Sequence, residues 1–142
     1  MILIQTFQKF FYQFLMLYRP FENRLNILLG EHGLYRAQWT VLYYLANFGP
    51  STPVELANYQ SVEKPTMTRT IHRLKELEYL ETIPTKDKRE KKMQLTALGK
   101  KVYEDVRVSI DEFEQDILEG ISEEEQLKAI QIMKAIQQNI LK

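Results

Sequence analysis

Apolar residues recur at spacings of three and four over most of the chain, which is the spacing of one helical face. The pattern predicts helices over about 4–29, 36–48 and 53–59, a fourth helix that begins near Lys64, a fifth over about 97–119, and a last one ending near Ile140. Pro20 falls inside the first pattern and is expected to kink or divide that helix, because proline removes a helical hydrogen bond.

A β-hairpin is predicted between the fourth and fifth helices. Residues 80–84 and 92–96 are rich in β-forming side chains, and Asp87 to Arg89 lies at the turn between them. Short polar residues mark helix starts: Thr52 and Ser122 are each followed three residues later by glutamate, as in a capping box, and Thr96 is the expected cap of the fifth helix. The expected order is helices, hairpin, helices, which is typical of a winged helix-turn-helix.

The fourth helix and the hairpin tip carry the candidate chemistry. Met67, Ile71, Leu74 and Leu77 form the expected buried stripe of the helix. Its other faces and the tip carry the candidate DNA contacts, which are Lys64, Pro65, Thr66, Thr68, Arg69, His72, Arg73, Lys86, Asp87, Lys88 and Arg89. A helix can fill a major groove and a cationic tip can reach the adjacent minor groove. The alternative for each helical position is an ordinary solvated face.

Charge is distributed unevenly, although the chain has a formal net charge of zero. Residues 64–101 hold eleven basic and five acidic side chains, whereas residues 102–142 hold four basic and ten acidic ones. The middle of the chain can therefore attract a polyanion that the end of the chain repels. This distribution favours nucleic acid as the partner of the predicted hairpin and fourth helix.

Composition excludes several other classes. With 44% hydrophobic and 27% charged residues, the 142-residue chain is long enough for a globular core. It has no cysteine, which excludes disulfides, thiolate metal sites and thiol redox sensing, and only two histidines, so no metal or cofactor is expected. The sequence contains neither a nucleophile placed beside a base nor a phosphate-binding glycine loop, so nothing in it indicates an enzyme.

The first residues are apolar, but Gln5, Gln8, Lys9 and Gln13 interrupt them before the length that a membrane span requires. They predict an amphipathic helix rather than a signal peptide or membrane anchor, and the expected location is the cytoplasm.

The outer helices have more apolar surface than a small winged domain needs. The fifth helix alone would reach about 35 Å. We expect a homodimer whose contacts are Phe7, Phe10, Phe11, Phe14, Ile117, Leu127, Ile130, Met133, Ile136 and Ile140. The alternative is a monomeric bundle. Two recognition helices about one DNA turn apart would bind a pseudo-palindrome.

The expected fold is mainly α with a small β-hairpin wing. It combines a winged helix-turn-helix DNA-binding lobe, residues 34–99, with a helical dimerisation domain built from both chain termini, residues 1–33 and 100–142.

Several motifs together resemble the MarR family of bacterial transcription regulators over almost the whole chain. They are Leu34…Gln38-Trp39…Leu42…Leu45, Pro53…Leu56-Ala57, Thr66…Thr68-Arg69…Leu74…Leu77, and Asp87-Lys88-Arg89 followed by Leu95-Thr96 and Gly99. The resemblance implies a DNA-binding homodimer, usually a repressor, often released by a small aromatic or amphipathic ligand. It also implies that Arg89 enters the minor groove and that Asp87 pairs with it or orients it.

The sequence departs from the family pattern at helix ends. Tyr35 and Glu63 stand where short polar caps are usual, and Tyr79 follows the fourth helix where glycine is common.

An effector pocket in this architecture would lie between the first, second and fifth helices, with Tyr18, His32, Trp39 and Tyr43 as walls; the alternative is that these residues are ordinary core. The alternative functions are a winged-helix protein-interaction module and a ligand-binding protein without specific DNA binding.

Overall fold

The computed structural model of this chain describes residues 1–87 and 90–142. Within them lie six helices and two strands, in the order α1 Thr6–Glu31, α2 Arg36–Phe48, α3 Pro53–Gln60, α4 Lys64–Glu76, β1 Leu80–Pro84, β2 Lys91–Leu95, α5 Ala97–Ile117 and α6 Glu123–Ile140. The predicted order of helices and hairpin is confirmed, and most boundaries agree within two residues. The chain divides into two compact units, Met1–Ile110 and Asp111–Lys142.

The core of the first unit collects the apolar faces of its elements. Leu29, Leu42, Leu56 and Leu74 are at most 1% exposed and come from α1, α2, α3 and α4 respectively. The hairpin adds Leu80, Met93 and Leu95, and α5 adds Val106 and Ile110. Burial of this apolar surface holds the short helices in place, because helices of this length are marginal alone in water.

The first helix is not divided at Pro20. It runs without a break over 26 residues, with Pro20 inside it. Proline leaves the carbonyl of Met16 without its helical donor. Both residues are exposed, so water can hydrate that carbonyl, and the helix continues to the buried Leu25 and Leu29.

Side chains near the helix starts satisfy backbone N–H groups. The Thr52 hydroxyl accepts the Glu55 N–H at 3.2 Å and donates to the Glu55 carboxylate, so only half of the predicted capping box forms. At Tyr35, the Gln38 side-chain oxygen accepts the backbone N–H at 2.9 Å. The side chain of Gln38 therefore compensates for the missing polar cap, and α2 begins at Arg36 as predicted.

The two strands pair antiparallel, with Leu80 opposite Leu95 and Thr82 opposite Met93. Ser51 joins them from outside the hairpin: its N–H donates to the Met93 carbonyl at 3.1 Å, and the Met93 N–H donates to its carbonyl at 2.8 Å. The sequence pattern did not predict this bridge. It attaches the hairpin to the segment that leads into α3.

The second unit contains the end of α5 and the whole of α6. After α5 ends at Ile117, Gly120 takes a positive φ of 82°. The predicted capping box of α6 forms in full: Glu125 N–H donates to the Ser122 hydroxyl at 3.1 Å, and Ser122 N–H donates to the Glu125 carboxylate at 3.0 Å. None of the helices in the described part of the chain combines the length and apolar character that a membrane-spanning helix needs.

Candidate nucleic-acid interface

A tight turn leads from α3 into α4. Ser61 adopts the left-handed conformation, with φ of 55°, and its N–H donates to the Asn58 carbonyl at 3.2 Å. The Val62 N–H donates to the Ala57 carbonyl at 3.1 Å, which closes the turn. Glu63 then precedes α4 without capping it by a side-chain hydrogen bond. These contacts define a helix-turn-helix with α4 as its second helix.

The two sides of α4 differ as the sequence predicted. Met67, Ile71 and Leu74 are buried and Leu77 is half-buried. All the candidate contacts on this helix are exposed, namely Lys64, Pro65, Thr66, Thr68, Arg69, His72 and Arg73. The helix therefore presents a continuous polar and cationic surface. Contact of this surface with DNA stays a prediction.

Several of these exposed side chains interact with one another or with their own helix. The Arg69 guanidinium donates to the Thr66 hydroxyl at 3.4 Å, and the Thr68 hydroxyl donates to the Lys64 carbonyl at 3.0 Å. His72 Nε2 lies 3.5 Å from a carboxylate oxygen of Glu76 at the surface. All these side chains are exposed, so the contacts leave the polar surface of α4 accessible.

The wing is the hairpin of residues 80–95. Its base is joined to the end of α4 and the start of α5. The Thr96 N–H donates to the Tyr79 carbonyl at 3.0 Å, and the Thr96 hydroxyl donates to the Glu78 carbonyl at 2.6 Å. The same hydroxyl accepts the Gly99 N–H at 3.0 Å, so the predicted cap of α5 is confirmed. Glu78 itself has a positive φ of 66°. The Leu-Thr-x-x-Gly motif thus builds the joint between α4, the wing and α5.

The tip of the wing is partly described. The Thr85 hydroxyl lies 2.7 Å from the Asp87 carbonyl and 2.5 Å from the Glu90 carbonyl, and the Glu90 N–H donates to the Asp87 carbonyl at 3.0 Å. Lys86 and Asp87 are exposed. Lys88 and Arg89 lie outside the described residues, so the predicted role of Arg89 and its pairing with Asp87 stay predictions.

The four residues predicted to wall an effector pocket have different surroundings. Trp39 is buried, and its ring lies 6.5 Å from the ring of Tyr43. It also stacks on Tyr103 at 5.1 Å with 12° between the planes, a contact that the sequence did not predict. Of the four residues, Trp39 and Tyr43 are thus brought together.

The other two make different contacts. His32 Nε2 lies 3.1 Å from the Ser109 hydroxyl, so it links the end of α1 to α5. Tyr18 is exposed and stacks on Phe14. A hydrogen bond with Glu22 raises the pKa of the Tyr18 phenol, because the neighbouring carboxylate disfavours the phenolate.

A groove of about 590 Å³ lies at the base of the wing. It is formed by the end of α2, both strands and the start of α5, and its lining includes Leu45, Gly49, Leu95, Lys100, Tyr103 and Glu104. Among the described residues that line it, none is one of the four predicted pocket residues. Tyr103 connects this groove to the buried Trp39.

The apolar residues predicted for dimerisation are largely exposed in the single chain. On α1, Phe7, Phe10, Phe11 and Phe14 are between 47% and 66% exposed. In the second unit, Ile117, Leu127, Ile130, Met133 and Ile140 are exposed and Ile136 is half-buried. Each unit therefore leaves an apolar surface that folding of one chain does not cover.

Comparison with known proteins identifies the same part of the chain. A family model described as the MarR family matches residues 32–90. The chain is 40% identical over 107 residues to YwoH of Bacillus subtilis (strain 168), described as an uncharacterized HTH-type transcriptional regulator; the match covers 75% of this chain and 78% of YwoH. It is 30% identical over 138 residues to the HTH-type transcriptional regulator SAV2265 of Staphylococcus aureus (strain Mu50), covering 95% of this chain and 94% of that protein.

A solved structure shares the fold across almost the whole chain. Staphylococcus aureus MarR in complex with salicylate and kanamycin superimposes with a TM-score of 0.85 at 30% identity, and the match covers 94% of this chain and 91% of that one. The two relatives are described as transcriptional regulators and not as enzymes. Together with the helix-turn-helix and the wing, these similarities show that the chain belongs to the MarR family of HTH-type transcriptional regulators.

Proposed function

We propose that this regulator is a sequence-specific repressor that binds double-stranded DNA as a homodimer. The observation that carries the proposal is the exposed polar and cationic surface of α4, held beside the wing by the joint at Thr96. A helix with such a surface fits a major groove, and the wing would reach the next minor groove. A regulator of this kind acts on DNA in the cytoplasm.

The candidate residues take different roles in this proposal. Thr66, Thr68 and Arg69 contact base edges, because hydroxyl, methyl and guanidinium groups read the major groove. Arg73 and the wing lysines contact phosphates, which contribute affinity and salt dependence but not sequence choice. Arg89 enters the minor groove, where a narrow A·T-rich site attracts arginine. The full proposed surface is Lys64, Pro65, Thr66, Thr68, Arg69, His72, Arg73, Lys86, Asp87, Lys88 and Arg89.

Dimerisation is supported by the uncovered apolar surface. Four phenylalanines of α1 and five apolar residues of the second unit are exposed in one chain, and exposed patches of this kind mark association sites. We propose that residues 1–33 and 100–142 form the dimer domain and residues 34–99 the DNA-binding lobe. A twofold dimer would present two copies of α4 to successive major grooves, so the operator is a pseudo-palindrome.

We propose further that a small aromatic or amphipathic effector releases the repressor. The pocket would use Trp39 and Tyr43, whose rings lie 6.5 Å apart, with Tyr18 and His32 as further walls, and the related Staphylococcus aureus MarR was solved in complex with salicylate and kanamycin. A ligand that binds one arrangement of the DNA lobes better than another would shift the protein away from the spacing that the operator requires.

Selection of duplexes from a random pool by the full-length protein tests DNA recognition and symmetry together. We expect a pseudo-palindrome whose half-sites lie about 10 base pairs apart, and a steep fall of affinity with salt, with a log–log slope of about −0.9 for each phosphate contact. Absence of any enriched duplex overturns the proposal. Tight binding of salicylate without duplex selection would favour a ligand-binding protein, and weak salt-sensitive binding of any acidic partner would favour an interaction module.

Transcription in vitro from a promoter that carries the selected site tests whether the protein represses or activates. Repression predicts fewer transcripts when the protein is added and recovery when salicylate is added as the effector probe. An increase in transcripts on adding the protein would show an activator instead.

A further inference from the structure

Besides the joint at its base, the wing contacts the rest of the first unit at one further rung of its ladder. Thr82 of β1 lies opposite Met93 of β2. Met93 is buried, and its backbone exchanges two hydrogen bonds with Ser51, next to the cap of α3. On the β2 side, this rung is therefore hydrogen-bonded to the segment that leads into the helix-turn-helix.

The same rung receives support from α4 on the β1 side. Lys75, in the last turn of α4, donates from Nζ to the Thr82 hydroxyl at 2.8 Å. The Thr82 hydroxyl in turn lies 3.9 Å from the sulfur of Met93. Lys75 is exposed and Thr82 is half-buried, so the bond joins the end of an exposed side chain to the strand.

Beyond this rung the wing is a two-stranded ribbon. Ile83 pairs with Lys92 and Pro84 with Lys91, and within the described residues no third strand joins them. Pro84 has no N–H, so it cannot donate to the ladder. An isolated two-stranded hairpin is only marginally stable in water, and its direction is therefore set where it is attached.

The distance from the rung to the tip magnifies small changes in direction. Asp87 lies five positions beyond Thr82, which is at most about 16 Å at about 3.3 Å per residue, and residues 85–87 lie beyond the end of β1, which shortens this distance. On a length of about 10 Å, a tilt of about 10° at the rung would displace the tip by about 2 Å. Such a displacement is larger than the range of donor–acceptor distances in a hydrogen bond, about 0.5 Å.

We infer that Lys75 is a positioning residue for the wing, which acts on DNA through Thr82 and not through a phosphate contact of its own. The inference rests on the proposed DNA-binding function. It assigns Lys75 a role different from that of the cations at the wing tip, although all of them belong to the same basic segment, residues 64–101. Loss of the Lys75–Thr82 bond leaves the fold intact and misdirects the tip.

A double-mutant cycle on operator affinity tests this role. Lys75→Met removes the donor and keeps the aliphatic stem, whereas Thr82→Val removes the acceptor and keeps the shape and every charge. We expect each to weaken binding about fivefold, the change that one modest hydrogen bond supplies. The double variant should be no weaker than either single variant, and Thr82→Ser should bind like the wild type.

Two controls separate positioning from charge. Lys134→Met removes the same charge from the exposed surface of α6 and should leave affinity unchanged. In an Arg89→Ala background, Lys75→Met should have a smaller effect than in the wild type, since the tip has already lost the contact that depends most on its direction. The melting temperatures of the Lys75 and Thr82 variants should match that of the wild type.

Three results would overturn the inference. If Thr82→Val binds like the wild type while Lys75→Met weakens binding and lowers the salt slope by about one, Lys75 contacts a phosphate directly. If the effects of Lys75→Met and Arg89→Ala add, Lys75 does not act through the wing. If Arg89→Ala binds like the wild type, the minor-groove contact that Lys75 is inferred to position does not exist. If the wild-type protein selects no duplex, the proposed DNA-binding function is wrong, and the positioning role of Lys75 is then wrong as well.

Discussion

Gly99, in the first turn of α5, packs directly on the backbone of Tyr79, the residue that leads from α4 into the wing. A Cβ at Gly99 would overlap the carbonyl oxygen of Tyr79. That oxygen also accepts the Thr96 N–H, so it has no freedom to move aside. Helix α4, the wing and α5 therefore meet at one closely packed joint, and glycine is required there because a Cβ has no space, not because of the backbone torsion.

Gly99→Ala should destabilise the protein by about 2 kcal/mol or more, because the added methyl must push two chain segments apart. Gly30→Ala is the matched control: no atom lies within 4 Å of its Cβ position, and alanine should stabilise the helix by about 0.5–1 kcal/mol. Urea unfolding measures both. Equal stability of Gly99→Ala and the wild type would contradict the close packing at the joint.

Glu78→Gly should stabilise the protein by about 1 kcal/mol. Glu78 has a φ of 66°, a left-handed conformation that costs a residue with a Cβ about that much. Glu78→Ala is the control, since alanine removes the same side chain without gaining access to that conformation. A higher urea midpoint for the glycine variant alone supports this reasoning, and equal midpoints for glycine and alanine would show that the side chain, not the torsion, matters.

Arg89→Ala should weaken operator binding at least about tenfold, which corresponds to loss of one charged contact in the minor groove. The circular dichroism spectrum should not change. Arg89→Lys keeps the charge and should recover only part of the affinity, because lysine lacks the planar fork of donors. A gel-shift titration in which Arg89→Ala and the wild type bind equally would contradict insertion of the wing.

Phe11→Glu should convert a dimer to a monomer. Phe11 is 49% exposed in the single chain, and a carboxylate buried there would lack a partner. Gln13→Glu adds the same charge at a polar position of the same helix and should leave the dimer intact. Sedimentation at micromolar concentration measures the mass of each variant. A wild type that sediments as a single 16.9 kDa species contradicts dimerisation itself.

The capping box at the start of α6 should contribute less to the free energy of unfolding in acid. The backbone N–H of Ser122, and then its hydroxyl, lower the pKa of the Glu125 carboxyl. A lowered pKa contributes stability above the ordinary glutamate value, about pH 4, and the contribution disappears as the pH falls through the lowered value. Glu125→Gln should therefore unfold at lower urea than the wild type at pH 7, and this difference should shrink as the pH falls below the ordinary glutamate value and through the lowered one. A pH-independent difference would exclude this cause.

Periodicity predicted the elements of this fold because each buried stripe leaves a regular mark on the sequence. Met67, Ile71 and Leu74 lie three or four residues apart and are buried together. Helix starts were predictable where a short polar side chain provides the cap, as at Thr96 and Ser122. The exposed face of α4 followed from the same helical geometry.

Contacts between distant segments were not predictable in this way. Ser51 joins the hairpin through backbone atoms alone, which leave no pattern in side-chain type. Tyr103 stacks on Trp39 from another helix, although each residue separately resembles ordinary core. Pro20 was expected to kink or divide α1, and the helix continues through it at a place where Pro20 and Met16, the residue whose carbonyl loses its donor, are both exposed.

The stack of Trp39 on Tyr103 supplies an optical reporter inside the protein. Trp39 is the sole tryptophan of the chain, so its intrinsic fluorescence is free of other indole signals. It belongs to α2 and its stacking partner to α5, the helix that begins at the joint with the wing. Any rearrangement that separates these two helices will change the emission of one known side chain, and stopped-flow mixing with operator or effector can time that change without a dye.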